Sequence, residues 1–164
     1  MSKLLVDQHG RGISHLRISL TDQCNFRCVY CMPPEGVSVL SKEQHLTNDE
    51  IVCLAKIFTD LGVNKVRLSG GEPLLRADIV ELVQSLSQVQ GIDSLALTTN
   101  GSHLKRLAKP LLEAGLQRIN ISLDSLQEKT FSKMTLRDSF HEVVAGLEEA
   151  LHLGFPVKIN VVVM

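Results

Sequence analysis

With 164 residues the chain can build one domain with its own core, and 44% hydrophobic against 21% charged residues is an ordinary globular composition. A formal charge of −1 offers no global positive field to nucleic acid, and one Tyr with no Trp offers no base-stacking platform. No stretch approaches the roughly 20 apolar residues of a membrane span, and residues 1–12 carry Lys3, Asp7, His9 and Arg11 in place of a signal-peptide core; the expectation is a soluble, cytoplasmic protein with no DNA and no membrane partner.

Residues 14–20 alternate apolar and polar side chains, which predicts a strand. The connection over 21–46 holds three clustered cysteines and Pro33-Pro34 and has no helical period; long irregular loops of this kind are usually functional. Thr47 followed by Glu50 forms a capping box, opening a helix with Ile51, Leu54, Ala55, Phe58 and Leu61 at helical spacing and Gly62 at its end. Residues 65–68 predict a second strand, broken by Gly70-Gly71, and Ile79, Leu82, Val83 and Leu86 a second helix starting near Ala77. Residues 94–99 predict a third strand, 103–114 a third helix kinked or restarted at Pro110, and 118–123 a fourth strand. After a broken helical region, 140–153 predict another helix and 157–163 a fifth strand. Alternation of this kind means a parallel sheet with right-handed crossovers, and its ligands belong at the C-terminal strand ends.

Four cysteines without a secretion signal argue against a disulfide framework. Cys24, Cys28 and Cys31 have the spacing C-x3-C-x2-C, and three thiolates on one loop suit a soft metal or a cluster. A 4Fe–4S cluster with three protein ligands keeps one iron open, whereas a structural zinc site wants four ligands. The spacing alone also fits a zinc site completed by a nearby His or Asp, or unrelated buried thiols; its place after the first strand of a β/α array favours the cluster. Cys53 lies within the first helix and reads as a small core residue, and the six His show no metal-ligand spacing.

The cysteine motif, with Tyr30 just before the third Cys, resembles the signature of radical S-adenosylmethionine (SAM) enzymes. Ser69-Gly70-Gly71-Glu72-Pro73 resembles their Gly-Gly-Glu-Pro segment, which holds the SAM amino group; read from the residues, the glycines would let the backbone approach a ligand and Glu72 could accept from an ammonium. A tight turn into the next helix is the plainer alternative. Likewise Asn100-Gly101 reads as a rim segment or a simple turn, and Ser125 as a rim hydroxyl or a helix cap.

Residues 16–22, 65–73, Thr98-Thr99-Asn100-Gly101, residues 120–125 and 157–160 together resemble the GTP 3′,8-cyclases, the molybdenum cofactor biosynthesis protein A family. The resemblance implies an α/β fold: a partial (β/α) radical SAM barrel, TIM-like, with about five parallel strands and outer helices. It implies a 4Fe–4S cluster on Cys24, Cys28 and Cys31, SAM contacted by Tyr30, Gly71 and Ser122, and GTP contacted by Arg17, Arg67, Thr98 and Lys158, with no catalytic side chain beyond cluster and SAM. In that family a 5′-deoxyadenosyl radical abstracts hydrogen from C3′ of GTP and the carbon radical attacks C8, giving (8S)-3′,8-cyclo-7,8-dihydroguanosine 5′-triphosphate. The implied partners are an electron donor such as flavodoxin or ferredoxin and, downstream, cyclic pyranopterin monophosphate synthase; a homodimer is compatible. Cations suit a triphosphate, but a lone Arg on a strand is usually solvated, and the pattern leaves open whether Arg17, Arg67 and Lys158 share a face.

Family members are about twice as long, with a sixth strand, three further cysteines for a second cluster that binds guanine, and a Gly-Gly tail. None of these lies within residues 1–164, so the expectation is a single radical SAM core domain over 1–164, truncated before the sixth strand and the C-terminal cluster region. Leu136 stands where family members often have Gly. Another radical SAM reaction, of peptide maturase or deazaguanine synthase type, and a fragment that binds cluster and SAM without turnover are the alternatives.

Overall fold

The computed structural model describes residues 4–163. Five strands, β1 (His15–Ser19), β2 (Lys65–Ser69), β3 (Ser94–Thr99), β4 (Arg118–Ser122) and β5 (Val157–Asn160), form one sheet in the order β1-β2-β3-β4-β5. Every neighbouring pair is parallel. The connections carry helices α1 (Asn48–Asp60), α2 (Ile79–Ser87), α3 (Leu104–Glu113), α4 (Glu128–Thr135) and α5 (Phe140–His152). Right-handed crossovers that each place the new strand beside the last put all helices on one side and curl the sheet into part of a barrel. The α/β partial barrel expected from the sequence is the fold observed.

The alternation of side chains decides what the two faces of the sheet hold. Val66, Leu68, Leu95, Leu97, Ile119 and Ile121 point to the helices and form one core with Ile51, Ala55, Leu82, Leu86, Leu104, Leu111, Val143 and Ala150. Each fully buried Leu or Ile contributes roughly 1.5–3 kcal/mol. The alternate residues face the open, concave side.

The capping box opens α1 as expected: the Glu50 amide donates to the Thr47 hydroxyl oxygen at 3.3 Å, and the Thr47 amide donates to Glu50 Oε2 at 2.8 Å. Four expectations need correction. Pro110 lies inside one uninterrupted helix, α3, so the chain does not restart there; the carbonyl it leaves without an intrahelical donor belongs to exposed Arg106. Cys53 is exposed, not core, because at 100° per residue it lies about 200° around α1 from buried Ile51; Leu54 is likewise on the outer flank. β1 is shorter than residues 14–20, and β5 ends at Asn160 rather than at 163. Its partner β4 ends at Ser122, and the Val162 amide donates to the Asp124 carboxylate instead of a neighbouring strand. The N-terminal segment, which carries no strand signal, makes an antiparallel bridge between Val6 and Gly12 and reaches α1 through the Leu5 amide and the Leu61 carbonyl. No described helix is long and apolar enough to cross a membrane.

Candidate functional site

The C-terminal ends of β1 to β4 bring four segments to one rim: the cysteine loop, Gly70-Gly71, Asn100-Gly101 and the turn after Ser122. The second segment is wedged against the lead-in to the cysteines. The Gly71 amide donates to the Thr21 carbonyl and the Glu72 amide to the Gln23 carbonyl, both at 2.7 Å. Gly70 takes φ +140, and a Cβ there would sit 2.5 Å from the Thr21 carbonyl oxygen; one at Gly71 would strike the Gln23 main chain. The glycines therefore let two loops of the protein close on one another. Among the described residues the Gly71 carbonyl accepts no hydrogen bond.

Glu72 is also corrected. Its side chain is fully buried, so it cannot meet a ligand ammonium. Its carboxylate accepts from the Leu74 amide at 2.9 Å, the Thr99 hydroxyl at 2.7 Å and the Asn100 amide at 2.7 Å. Burial pushes the carboxyl up, and these three donors pull it back. Glu72 caps the short 3-10 turn Pro73–Leu75 and ties the end of β2 to the end of β3.

From there the network runs into the cysteine loop. Asn100 Nδ2 donates to Asn25 Oδ1 at 2.8 Å, Asn25 Nδ2 donates to the Ser102 hydroxyl at 3.0 Å, and Ser102 donates back to Asn100 Oδ1 at 2.7 Å. Phe26, 3% exposed, enters the core edge-on to Phe131 with ring centroids 5.9 Å apart. Cys24 and Cys28 are half-buried against that core, Cys31 is exposed, and all three are free thiols. Burial pushes the Cys24 and Cys28 thiols up, and each also feels the charge of another cysteine of the trio. Among the described residues no three His, Cys, Asp or Glu are gathered as a metal-binding group. The donor set nonetheless fits a cluster: three soft thiols on one loop, two against an apolar wall, one open to solvent, and no disulfide among them.

At the opposite side of the rim the Tyr30 hydroxyl donates to Asp124 Oδ2 at 2.6 Å, while Asp124 Oδ1 accepts from the Val162 amide at 2.9 Å. Burial, then this bond, pushes the Tyr30 phenol up. Ser122 closes β4 on the concave face beside Asn160.

Below the rim, registers align the polar residues of the concave face into rows. Arg17 is opposite Arg67, Arg67 opposite Ala96 and Ala96 opposite Arg118. One step toward the rim, Thr98 is opposite Asn120 and Asn120 opposite Lys158. So Arg17, Arg67, Thr98 and Lys158, which the pattern could not place together, share one face. A cavity of about 500 Å³ there is lined by Arg17, Lys65, Arg67 and Arg118, and a second of about 340 Å³ by Arg17, Ser19, Ser69 and Gly70. Arg17 spans both, its Nε donating to the Ser69 hydroxyl at 2.9 Å. Asn120 is 4% exposed, yet its Nδ2 has no partner among the described residues. Lys65 and Asn120 lie within the segments that carry the resemblance but were given no role there, and Arg118 lies outside them; only its place on β4 sets it on this face.

The profile described as the radical SAM superfamily matches residues 18–164. The chain belongs to the radical SAM superfamily. Membership implies an iron–sulfur cluster and SAM, the cofactors for which the cysteine loop and the rim are the candidate seats. The chain is 50% identical over 164 residues to molybdenum cofactor biosynthesis protein 1 of Bos taurus, covering 99% of this chain and 26% of that protein. It is 45% identical over 161 residues to the GTP 3′,8-cyclase of Petrotoga mobilis, covering 98% of this chain and 50% of the relative. The chain thus spans a quarter to a half of these relatives. Among solved structures it resembles HydG, a maturase of the FeFe-hydrogenase, with TM-score 0.73 at 14% identity over 90% of this chain and 34% of that one. Streptococcus suis SuiB bound to S-adenosylmethionine gives TM-score 0.70 at 21% identity over 90% and 32%. These two likenesses show the fold.

Proposed function

We propose that the chain is the SAM-cleaving half of a GTP 3′,8-cyclase acting in molybdenum cofactor biosynthesis. The observation that carries this reading is the register row that sets Arg17, Arg67 and Arg118 on one concave face, with Thr98 and Lys158 one step nearer the cysteine loop. Fixed cations at the bottom of a barrel and thiols at its rim suit a substrate with a polyanionic tail and a reacting sugar above it. The likeness to the Petrotoga mobilis cyclase supports the same substrate.

When bound, the cluster supplies the electron that splits SAM into methionine and a 5′-deoxyadenosyl radical. The work of the chain is to hold and orient. Cys24, Cys28 and Cys31 would hold the cluster. The free Gly71 carbonyl would accept from the SAM ammonium, Tyr30 and Ser122 would hold the rest of SAM, and Arg17, Arg67, Thr98 and Lys158 would hold GTP with its ribose toward the rim. An external one-electron donor of flavodoxin or ferredoxin type reduces the cluster, and cyclic pyranopterin monophosphate synthase consumes the product. The cytoplasm is the expected location, and a homodimer is compatible with these roles.

The test is anaerobic reconstitution with iron and sulfide, followed by SAM, dithionite and GTP. GTP-dependent 5′-deoxyadenosine and a cyclised nucleotide are expected. Deoxyadenosine formed at the same rate without GTP, and no cyclised product, would remove the cyclase reading.

A further inference from the structure

The cysteine loop is held from below by residues 134–137, the segment in which Leu136 stands where family members often have Gly. The Arg27 amide donates to the Thr135 carbonyl at 3.0 Å and the Val29 amide to the Met134 carbonyl at 2.9 Å. Arg137 Nε donates to the Asn25 carbonyl at 2.7 Å. Residues 25, 27 and 29, the odd positions between Cys24 and Tyr30, therefore all anchor on residues 134–137. The same guanidinium donates from Nη1 to the Leu136 carbonyl at 2.7 Å, and the Thr135 hydroxyl donates to the Phe131 carbonyl at 2.9 Å.

The turn that makes this possible is strained. Leu136 is at φ +52 and ψ 36, the one non-glycine residue at positive φ among the described residues. For a γ-branched side chain that conformation costs roughly 1–2 kcal/mol. It turns the chain at the end of α4 so that Arg137 comes back over the helix terminus to reach Asn25. The side chain of Asn25 is meanwhile held from the far side by Asn100 and Ser102. Asn25 is thus gripped twice, main chain by α4 and side chain by the β3 rim, next to a candidate iron ligand.

We propose that Arg137 is a positioning residue for the cluster: with Met134 and Thr135 it sets the spacing of the C-x3-C-x2-C loop before metal arrives. The Leu136 turn exists to aim it. A loop whose amides are already paired loses less conformational freedom on ligation, and its thiols meet the metal in one arrangement. This inference rests on superfamily membership, not on GTP as the substrate, so the two stand or fall separately.

The test compares the full chain with Arg137→Ala, Arg137→Lys and Leu136→Gly. Amide hydrogen exchange is read first on the metal-free protein. In Arg137→Ala, exchange over residues 25–29 should rise about 10-fold or more while the β2 and β3 amides stay protected, because a lost charge-assisted bond is roughly 1.5–3 kcal/mol. Arg137→Lys should restore part of the protection, and Leu136→Gly should keep all of it, since glycine takes positive φ freely. After reconstitution, Arg137→Ala should give a heterogeneous reduced-cluster electron paramagnetic resonance signal where the parent gives one species. Unchanged exchange over 25–29 in Arg137→Ala would overturn the proposal. So would a loss of protection spread equally over the sheet, or a single parent-like resonance signal.

Discussion

The two faces of one sheet do opposite things. On the covered face, Leu68, Leu97, Ile119 and Ile121 are 0% exposed and belong to the apolar core. On the concave face, Arg17, Lys65, Arg67, Arg118 and Lys158 stand within the span of five short strands, and none is in an ion pair among the described residues. Residues adjacent in sequence thus serve different ends: one set holds the fold together, and the next set accumulates like charge that the fold does not use. Like charges left unneutralised cost stability, and a polyanion removes that cost. This contrast teaches where stability and binding are separable in the chain.

Breaking the covered face should have the largest effect. Leu97→Ala should lower unfolding free energy by about 3 kcal/mol, read by urea denaturation. Arg67→Ala, on a strand paired with the one carrying Leu97, should leave the urea midpoint nearly unchanged while GTP affinity falls about 10- to 100-fold by calorimetry. If both substitutions move stability alike, the division of labour between the faces is wrong. Asn120→Leu sharpens the contrast: removing a buried amide without a partner should stabilise the ligand-free chain by about 1 kcal/mol and weaken nucleotide binding. Leu136→Gly should raise stability by about 0.5–1 kcal/mol, strain relief exceeding the entropy that glycine loses. The smallest effect belongs to α1. Its Glu50 carboxyl is held below its ordinary value of 4.5 by the Thr47 amide it accepts. A depressed carboxyl contributes stability above about pH 4.5 and loses it as pH falls through the folded value. The difference between parent and Glu50→Ala in thermal melts should therefore be present at neutral pH and vanish in acid.

Much of the architecture was legible because local rules decided it. Thr47 and Glu50 announce α1 through a hydrogen-bond exchange that needs only four residues, and the alternation of residues 14–20 announces β1. The three cysteines were legible for a similar reason: their spacing alone makes one loop able to offer three thiols. Other readings failed where a distant partner decided the outcome. Glu72 looked like a ligand acceptor because its motif says nothing of Thr99 and Asn100, which bury it. Cys53 is the exception: it looked like core from its size, although the helical period already sets it about 200° around α1 from Ile51. β5 stopped short because strand length depends on β4, its neighbour. Arg137 lies in a segment marked only by its neighbour Leu136, and its role was not legible because its partner, Asn25, is 112 residues away.

The sequence by itself determined the β/α order, the cysteine loop and the cation at each strand position, because turn chemistry, capping and side-chain period act over a few residues. Only the tertiary structure decided that Arg17, Arg67, Arg118 and Lys158 lie on one face of the sheet. Within a strand the period of two says which residues share a face, but the register between strands is set by helices packing across the crossovers, and that register made five separate strands into one candidate site.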